Sequence, residues 1–203
     1  MSIEIKISNR RITYKYAMKF LNKRVADVKL NKAKELIWIL EHPTTYTAGI
    51  RSLKNEILDK NIKIIKTNRG GKITLHNPGQ KIIYFVINLN KRKKDIRLFI
   101  KTIEKSIIEL LKIYKINANS DRNNIGIWVK NKKISAIGIR IKRWVAYHGC
   151  SININNDLTY YKKIIPCGLS NKKITSFEDL GVKKIVNLNK NIEKIFIKNL
   201  AKI

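Results

Sequence analysis

Uninterrupted apolar runs of strand length are the feature that most limits how this chain can fold. Residues 36–40 are all apolar, and residues 82–89 are apolar at every position but Asn88. Runs of four to eight apolar residues are too short to cross a membrane and are typical of strands that are buried on both faces. We therefore predict a strand that is buried on both faces at 36–40 and a further strand at 82–89.

Weaker patterns predict the other elements of this chain of 203 residues. Alternation and short apolar runs predict further strands, whereas apolar residues at helical spacing predict amphipathic helices. Strands are expected at 3–7, 62–66, 125–129, 134–141 and 144–154. Helices are expected at 14–31, 95–114 and 191–203, and a helical turn is expected at 157–163. The last helix is expected to pack on the domain, with a membrane-surface role as the alternative.

The charge of the chain leaves several partners open. Lysine and arginine outnumber aspartate and glutamate by 44 to 14, which gives a net charge of +30. A nucleic-acid partner, an acidic protein partner and a compositional bias each account for such a value. Lysine is spread over every region of the chain, which favours compositional bias as the explanation of the charge. With only two cysteines and neither a signal peptide nor an apolar run of membrane length, the expected location is the cytoplasm.

Cys167, held between Pro166 and Gly168, is the strongest candidate nucleophile. A thiol with a pKa of about 8.5 is only a few per cent ionised at pH 7, and an adjacent ammonium lowers such a pKa by about 1–3 units. Our working hypothesis is that Lys133, at the mouth of the apolar run 134–141, meets Cys167 and forms an acyl-transfer site. The alternative is that Lys133 is solvent-exposed, as a lysine in such a lysine-rich link usually is. Cys150 follows a predicted strand and reads as a buried, small apolar side chain.

Histidines offer other arrangements around the same thiol. His42, His76 or His148 beside Cys167 would form a Cys/His pair as in thiol proteases. His42, in a loop before a proline, is more simply a structural residue. The stretch 68–80 contains two adjacent glycines and resembles neither a dinucleotide fingerprint nor a phosphate loop. It reads either as a ligand-contacting segment or as a plain hairpin whose turn is Asn-Pro-Gly. The cysteine and histidine spacing gives little support for zinc.

The motifs of the chain, taken in order, resemble those of the lipoyl (octanoyl) transferases. The resemblance runs from residue 41 to residue 168. Its motifs are Glu41-His42-Pro43 with Tyr46-Thr47 and Gly49, Arg69-Gly70-Gly71 with Thr74, His76 and Pro78-Gly79-Gln80, Lys133-Ile134 with Ala136-Ile137-Gly138, Arg143-Trp144 with His148-Gly149, Asn153 with Asn155 and Asp157-Leu158, and Pro166-Cys167-Gly168.

That resemblance implies a fold, a reaction and a set of site residues. The fold would be α/β (α+β), with mixed sheets flanked by helices as in biotin and lipoate protein ligases, in one catalytic acyltransferase domain over residues 1–203. Cys167 would carry the acyl thioester, and Lys133, 34 residues earlier as in that family, would lower its pKa. The acyl chain would lie against Arg69, Gly70, Gly71, Lys72, Ile73, Thr74, Leu75 and His76, then Ala136, Ile137 and Gly138, then Gly149, Cys150 and Ser151.

The implied partners follow from the same resemblance. The octanoyl donor would be acyl carrier protein, and the acceptors would be the lipoyl domains of 2-oxoacid dehydrogenase E2 subunits and the glycine cleavage H protein. No further cofactor, metal, nucleic acid or membrane is expected, and the protein is expected to be a monomer. Backbone amides near Cys167, with His76 or its neighbours, would hold the oxyanion. The rival functions are an ATP-dependent lipoate or biotin ligase and a basic nucleic-acid-binding module.

Overall fold

Two β-sheets and three helices make up the part of the chain that the computed structural model describes, residues 2–121, 124–166 and 173–203. The helices are α1 (Tyr14–Lys29), α2 (Ile96–Ile113) and α3 (Leu188–Leu200). The strands are β1 (Ile3–Ile7), β2 (Glu35–Leu40), β3 (Thr45–Ala48), β4 (Ile64–Lys66), β5 (Ile73–His76), β6 (Gln80–Asn88), β7 (Asn119–Ser120), β8 (Ile127–Val129), β9 (Lys132–Lys142), β10 (Val145–Asn153) and β11 (Lys173–Ile174).

The larger sheet has the strand order β1-β2-β6-β10-β9-β8-β7, and β11 pairs with β9. Strand β1 runs parallel to β2 and β11 runs parallel to β9, whereas the other neighbours are antiparallel. The smaller sheet has the order β4-β3-β5, with β3 parallel to β4 and antiparallel to β5.

Strand β2 lies in the middle of a three-layer arrangement. Ile37 and Ile39 point into a core that contains the apolar faces of α2 and α3, whereas Leu36, Trp38 and Leu40 point toward α1. All six residues of β2 are buried. The structure therefore confirms the predicted strand with two buried faces, and helices on both sides explain why no polar alternation is needed.

Local signals set the helix ends. The Asp95 carboxylate accepts a hydrogen bond from the backbone N–H of Leu98 at 2.9 Å, as expected of an N-cap residue. Helix α1 ends at Lys29, two residues before the predicted end, and Asn31 adopts a φ of 55°. Helix α3 begins three residues before the predicted start, and its Phe196 ring lies 5.4 Å from the ring of Phe85. This packing confirms that α3 belongs to the core.

None of the described helices is long and apolar enough to span a membrane.

The plain-hairpin interpretation of residues 68–80 is wrong. A turn does form, because the N–H of Gln80 donates to the carbonyl oxygen of Asn77 at 3.1 Å and Gly79 has a φ of 83°. However, β5 pairs with β3 in the small sheet, whereas β6 pairs with β2 and β10 in the large one. The turn carries the chain from one sheet to the other, and this leaves a space between them.

Candidate active site

A cavity of about 680 Å³ lies where the small sheet faces the large one. Its walls come from β5 and the loop before it, from the middle of β9, and from β10, with Tyr14 of α1 at one side. Apart from Ile73 and Leu75, every residue that the resemblance assigned to the acyl chain lines this cavity: Arg69, Gly70, Gly71, Lys72, Thr74, His76, Ala136, Ile137, Gly138, Gly149, Cys150 and Ser151. These three stretches are distant in sequence, and the sheets bring them together.

Ile73 and Leu75 correct one part of that expectation. They lie on the opposite face of β5, where they pack in a separate apolar cluster with Tyr161 and Ile164. Successive side chains of a strand point to opposite faces, so only Thr74 and His76 of β5 can face the cavity. Ile73 and Leu75 support the wall from behind and are not among the residues that line the cavity.

Glycines allow the cavity walls to approach closely at two positions. A Cβ atom on Gly149 would lie 1.8 Å from the carbonyl oxygen of Ile83, and one on Gly138 would lie 3.2 Å from the carbonyl oxygen of Gly70. The N–H of Gly70 also donates to the carbonyl of Ile139 at 3.2 Å, which ties the glycine loop to β9. The backbone itself therefore forms much of the wall, as the glycine-rich motifs indicated.

Arg69 supports the glycine loop from within the protein. Its guanidinium donates to the carbonyl oxygen of Thr47 at 2.8 Å, to the Thr47 hydroxyl at 2.9 Å and to the carbonyl of Gly70 at 3.0 Å. The side chain is buried and also lines the cavity. These hydrogen bonds join β3 to the loop before β5, so Arg69 shapes the wall in addition to facing the cavity.

Lys133 is buried, although it comes from a lysine-rich link of the kind that is usually exposed. It is 5% exposed, whereas the side chain of its neighbour Lys132 is 45% exposed. The Lys133 Nζ lies 5.0 Å from the centre of the Trp128 ring, a cation–π distance. A Cβ atom on Gly126 would lie 2.4 Å from the Cε of Lys133, so this glycine makes room for the lysine side chain. Sequence reasoning missed this role of Gly126. The only signal was a glycine within the predicted strand 125–129.

Lys133 also lines a second, much smaller cavity, of about 10 Å³, together with Pro166. Pro166 immediately precedes Cys167 in the sequence. Cys167 and Gly168 lie outside the described residues, so the expected contact between the lysine ammonium and the thiol stays a prediction. The remaining walls of this cavity come from Thr74, Ser135, Ala136, Ser151, Asn153, Tyr161 and Ile174.

A chain of buried side-chain amides fixes the tautomer of His76. Asn153 donates to the backbone carbonyl of Thr175 at 2.9 Å, so its amide oxygen is the atom that accepts from Gln80 at 2.8 Å. The amide oxygen of Gln80 must then accept from Nδ1–H of His76, at 2.8 Å. This leaves Nε2 of His76 with a lone pair. The free ring nitrogen of His76 is therefore a hydrogen-bond acceptor. The expectation that backbone amides near Cys167, with His76 or its neighbours, hold the oxyanion stays a prediction.

The same chain ends beneath the candidate catalytic lysine. The N–H of Thr175 donates to the carbonyl oxygen of Lys133 at 2.9 Å, while its own carbonyl accepts from Asn153. Gln80 also donates to the hydroxyl of Tyr161 at 3.0 Å. The small cavity beside Lys133 and the ring of His76 are thus joined by a continuous set of hydrogen bonds, which restrains both.

The three histidines of the chain are all buried, and burial lowers the pKa of each. Desolvation brings the pKa of His76 and of His148 to about 3 and that of His42 to about 4, so all three are neutral at pH 7. Both ring nitrogens of His42 are engaged, one with the carbonyl of Ile12 and one with the hydroxyl of Tyr84 at 2.8 Å. This confirms His42 as a structural residue. Neither ring nitrogen is available to form a hydrogen bond with a cysteine thiol.

Cys150 lies in the main core at 4% exposure, and burial raises the pKa of its thiol well above the usual value. It confirms the interpretation of a small apolar residue, with one edge on the cavity. Among residues 2–121, 124–166 and 173–203, no three His, Cys, Asp or Glu side chains cluster as metal ligands would.

The sequence of this chain is similar to those of known proteins. Residues 13–198 match the lipoyl protein ligase A/B catalytic domain family. An octanoyltransferase of Wolbachia sp. subsp. Brugia malayi (strain TRS) is 45% identical over 204 residues, covering 96% of this chain and 100% of that protein. An octanoyltransferase of Bartonella bacilliformis is 38% identical, with coverage of 96% and 88%.

Solved structures of two ligases share the fold. Lipoate-protein ligase A bound with ATP superposes with a TM-score of 0.72 at 14% identity, covering 98% of this chain and 85% of that one. A bipartite lipoate protein ligase from Thermoplasma acidophilum gives 0.70 at 14% identity, covering 99% and 84%. At such low identity the likeness shows the fold alone, and it confirms the expected fold class. The match over residues 13–198, together with full-length relatives that are octanoyltransferases, shows that the chain belongs to the lipoyl protein ligase A/B catalytic domain family and is an acyltransferase of that family.

Proposed function

We propose that this chain moves an octanoyl or lipoyl group from acyl carrier protein to the lysine of a lipoyl domain, through a thioester on Cys167. The proposal rests above all on Lys133, a buried lysine that shares a small cavity with Pro166, the residue before Cys167. The octanoyltransferase relatives support the same chemistry.

In the first step the Cys167 thiolate attacks the carbonyl carbon of the octanoyl thioester on the phosphopantetheine arm. A new carbon–sulfur bond forms to Cys167, and the bond to the pantetheine sulfur breaks. The pantetheine thiolate leaves and takes up a proton. Lys133 favours the reactive form of Cys167 because an ammonium stabilises a neighbouring thiolate.

In the second step the ε-amine of the acceptor lysine attacks the Cys167 thioester. An amide bond forms, the Cys167 thiolate leaves, and the amine loses one proton. We assign that proton to the leaving Cys167 thiolate, because burial holds the pKa of His76 at about 3 and makes its free ring nitrogen too weak a base to accept a proton from an amine. Thioester exchange is nearly isoenergetic and amide formation is downhill, so neither step needs ATP.

The cavity of about 680 Å³ would hold the acyl chain against backbone and aliphatic groups of β9 and β10. Each buried methylene contributes roughly 0.8 kcal/mol, so the chain of an octanoyl group supplies enough binding energy to favour medium-length donors. Neighbouring lengths differ by only one such increment, and the selection among them is correspondingly coarse.

The acceptors in this proposal are the lipoyl domains of 2-oxoacid dehydrogenase E2 subunits and the glycine cleavage H protein. The enzyme acts as a monomer in the cytoplasm and takes its acyl group from the carrier, with no further cofactor. The charge of +30 favours acidic protein partners, which a positive field attracts over long distances.

Mass spectrometry of the intact protein tests the proposal directly. After mixing with octanoyl-loaded carrier protein and no ATP, we expect the mass to increase by one octanoyl group. Cys167→Ala removes the adduct, whereas the matched Cys150→Ala retains it, because Cys150 is the buried thiol. An adduct that persists in Cys167→Ala contradicts the thioester. A reaction of free octanoate that requires ATP would establish the ligase alternative instead.

A further inference from the structure

An exposed loop beside the cavity carries an unusual number of aliphatic side chains. Residues 50–60, named here the mouth loop, contain Ile50, Leu53 and Leu58, which are 65%, 56% and 59% exposed. Single exposed aliphatic residues are common, but three within one short loop at the edge of a site point to a binding surface. The loop adjoins the cavity directly, because its exposed Arg51 is one of the residues that line it.

The mouth loop is also positively charged. Arg51, Lys54 and Lys60 are all exposed. The two acidic side chains of the loop are already in ion pairs, Glu56 with Lys72 at 2.8 Å and Asp59 with Lys163 at 3.2 Å. Its outward surface therefore combines aliphatic groups with cations, which complements an acidic protein that has an apolar patch.

Hydrogen bonds fix the mouth loop to the cavity wall. The N–H of Arg51 donates to the carbonyl oxygen of Gly71 at 3.1 Å. The buried Glu56 carboxylate pairs with Lys72, the residue after that glycine. The side of the loop that holds Arg51 is thus anchored to the segment that forms the acyl-chain wall.

The other side of the loop is fixed to the segment that leads to Cys167. The N–H of Ile165 donates to the carbonyl of Glu56 at 2.8 Å, and the N–H of Leu58 donates to the carbonyl of Lys163 at 3.0 Å. Ile57 and Ile164 form an antiparallel bridge. A protein bound to this loop would therefore be held against both the acyl-chain wall and the chain approaching the nucleophile.

We propose that the mouth loop docks the acidic carrier protein that delivers the acyl group, with Arg51 binding the phosphodiester of its phosphopantetheine arm. The inference rests on the proposed function and names the surface that recognises its donor. The donor arm brings a fixed anion to the mouth, whereas the acceptor brings a cationic lysine that Arg51 would repel. The charge at the mouth therefore favours the donor over the acceptor.

Two exposed leucines test the docking surface. In the double variant Leu53→Ser/Leu58→Ser we expect KM for octanoyl-loaded carrier protein to rise about tenfold or more, because apolar area is lost from the interface. The rate with octanoyl-pantetheine, which has no protein part, stays unchanged. Leu30→Ser is the matched control: Leu30 is 58% exposed and follows α1, about 24 Å along the helix from Tyr14 at the cavity.

Arg51→Ala tests the phosphate contact. We expect wild-type protein to be acylated faster by octanoyl-4′-phosphopantetheine than by octanoyl-pantetheine, and the ratio of the two rates to fall toward one in Arg51→Ala. Equal losses with both donors overturn the assignment of Arg51. Unchanged kinetics of the double leucine variant with carrier protein, or a defect only toward the lipoyl-domain acceptor, overturn the docking surface.

A binding measurement separates this inference from the proposed function. Octanoyl-loaded carrier protein is titrated into Cys167→Ala, with and without the two leucine substitutions, so that no reaction contributes. Weaker binding of the triple variant supports the docking surface whatever the chemistry. Equal binding overturns it, even where the wild type is acylated normally. If none of the octanoyl thioester donors acylates the wild type, the proposed function fails independently of the mouth loop.

Discussion

The strands at the centre of the large sheet and the strands around the cavity bury their residues in different ways. In β2 every side chain is buried and apolar apart from Glu35 at its start, because helices cover both faces. In β5 all four residues are buried as well, but Thr74 and His76 alternate with Ile73 and Leu75. The buried His76 of β5 has a specific hydrogen-bond partner in Gln80, whereas the apolar side chains of β2 are packed between the helices. This difference distinguishes the strands around the cavity from those of the core.

Acid should reveal this difference with the largest effect. His42, His76 and His148 are buried with pKa values of about 3–4, and their unfolded pKa is about 6.5. Between pH 6.5 and those folded values the unfolded chain binds more protons, so stability is lost as pH falls. Between pH 7 and pH 5 each histidine lowers the free energy of unfolding by about 2 kcal/mol, so we expect a total drop of roughly 6 kcal/mol.

Urea unfolding at pH 7 and pH 5 measures this loss. His42→Gln should reduce the pH dependence by about one histidine, because His42 is fully buried and bonded at both ring nitrogens. Stability that is equal at the two pH values would show that the histidines are protonated in the folded protein. The region around the cavity would then not differ from the core in this respect.

The two regions also differ in how far the sequence predicts them. The apolar run at 36–40 and the helical stripe of α2 specify buried elements by local pattern alone, and both are observed. The burial of Lys133 has no local signal, because it is the last of four consecutive polar residues in the link 130–133. It results from pairing with β8, whose register shifts between Ile127 and Trp128, and with β11 on the other side. The motif resemblance singled out Lys133 as a candidate site residue, which the local pattern could not do.

Lys133→Ala gives the next largest expected effect. Without the ammonium, the pKa of the Cys167 thiol should rise by about 1–3 units, so thiolate reactivity at pH 7 falls about tenfold or more. Iodoacetamide labelling of Cys167 as a function of pH measures the shift. Lys132→Ala is the matched control, since the side chain of Lys132 is exposed and its ammonium pairs with Asp179 at 3.6 Å. An unchanged labelling profile in Lys133→Ala rules out its role in activating the thiol.

Gly126→Ala tests whether the glycine before β8 holds Lys133 in place. Gly126 has a φ of 140°, and an added Cβ would lie 2.4 Å from the lysine Cε. We expect acylation of Cys167 to slow about fivefold to tenfold as the side chain is displaced, on the order of 1 kcal/mol. Gly181→Ala serves as the control, because Gly181 also has a positive φ, of 78°, but a Cβ there meets no described atom within 4 Å.

The two glycine variants separate backbone strain from local crowding. Both place alanine at a positive φ and should destabilise the fold by about 1 kcal/mol. Only Gly126→Ala should change the pH dependence of Cys167 labelling, since only that Cβ meets the lysine. Equal effects of the two variants on labelling would mean that Gly126 acts through the backbone alone.

Acyl chain length gives the smallest effect and tests whether the cavity behaves as a core does. If the chain is buried against β9 and β10, each methylene removed from octanoyl should lower kcat/KM by about fourfold, which corresponds to roughly 0.8 kcal/mol. Hexanoyl, heptanoyl and octanoyl carrier protein provide the series. Cys150→Leu, which adds bulk where the core meets the cavity, should shift the preferred length downward. A rate that is independent of length would place the acyl chain outside this cavity, because any site that buries it must lose binding energy with each methylene.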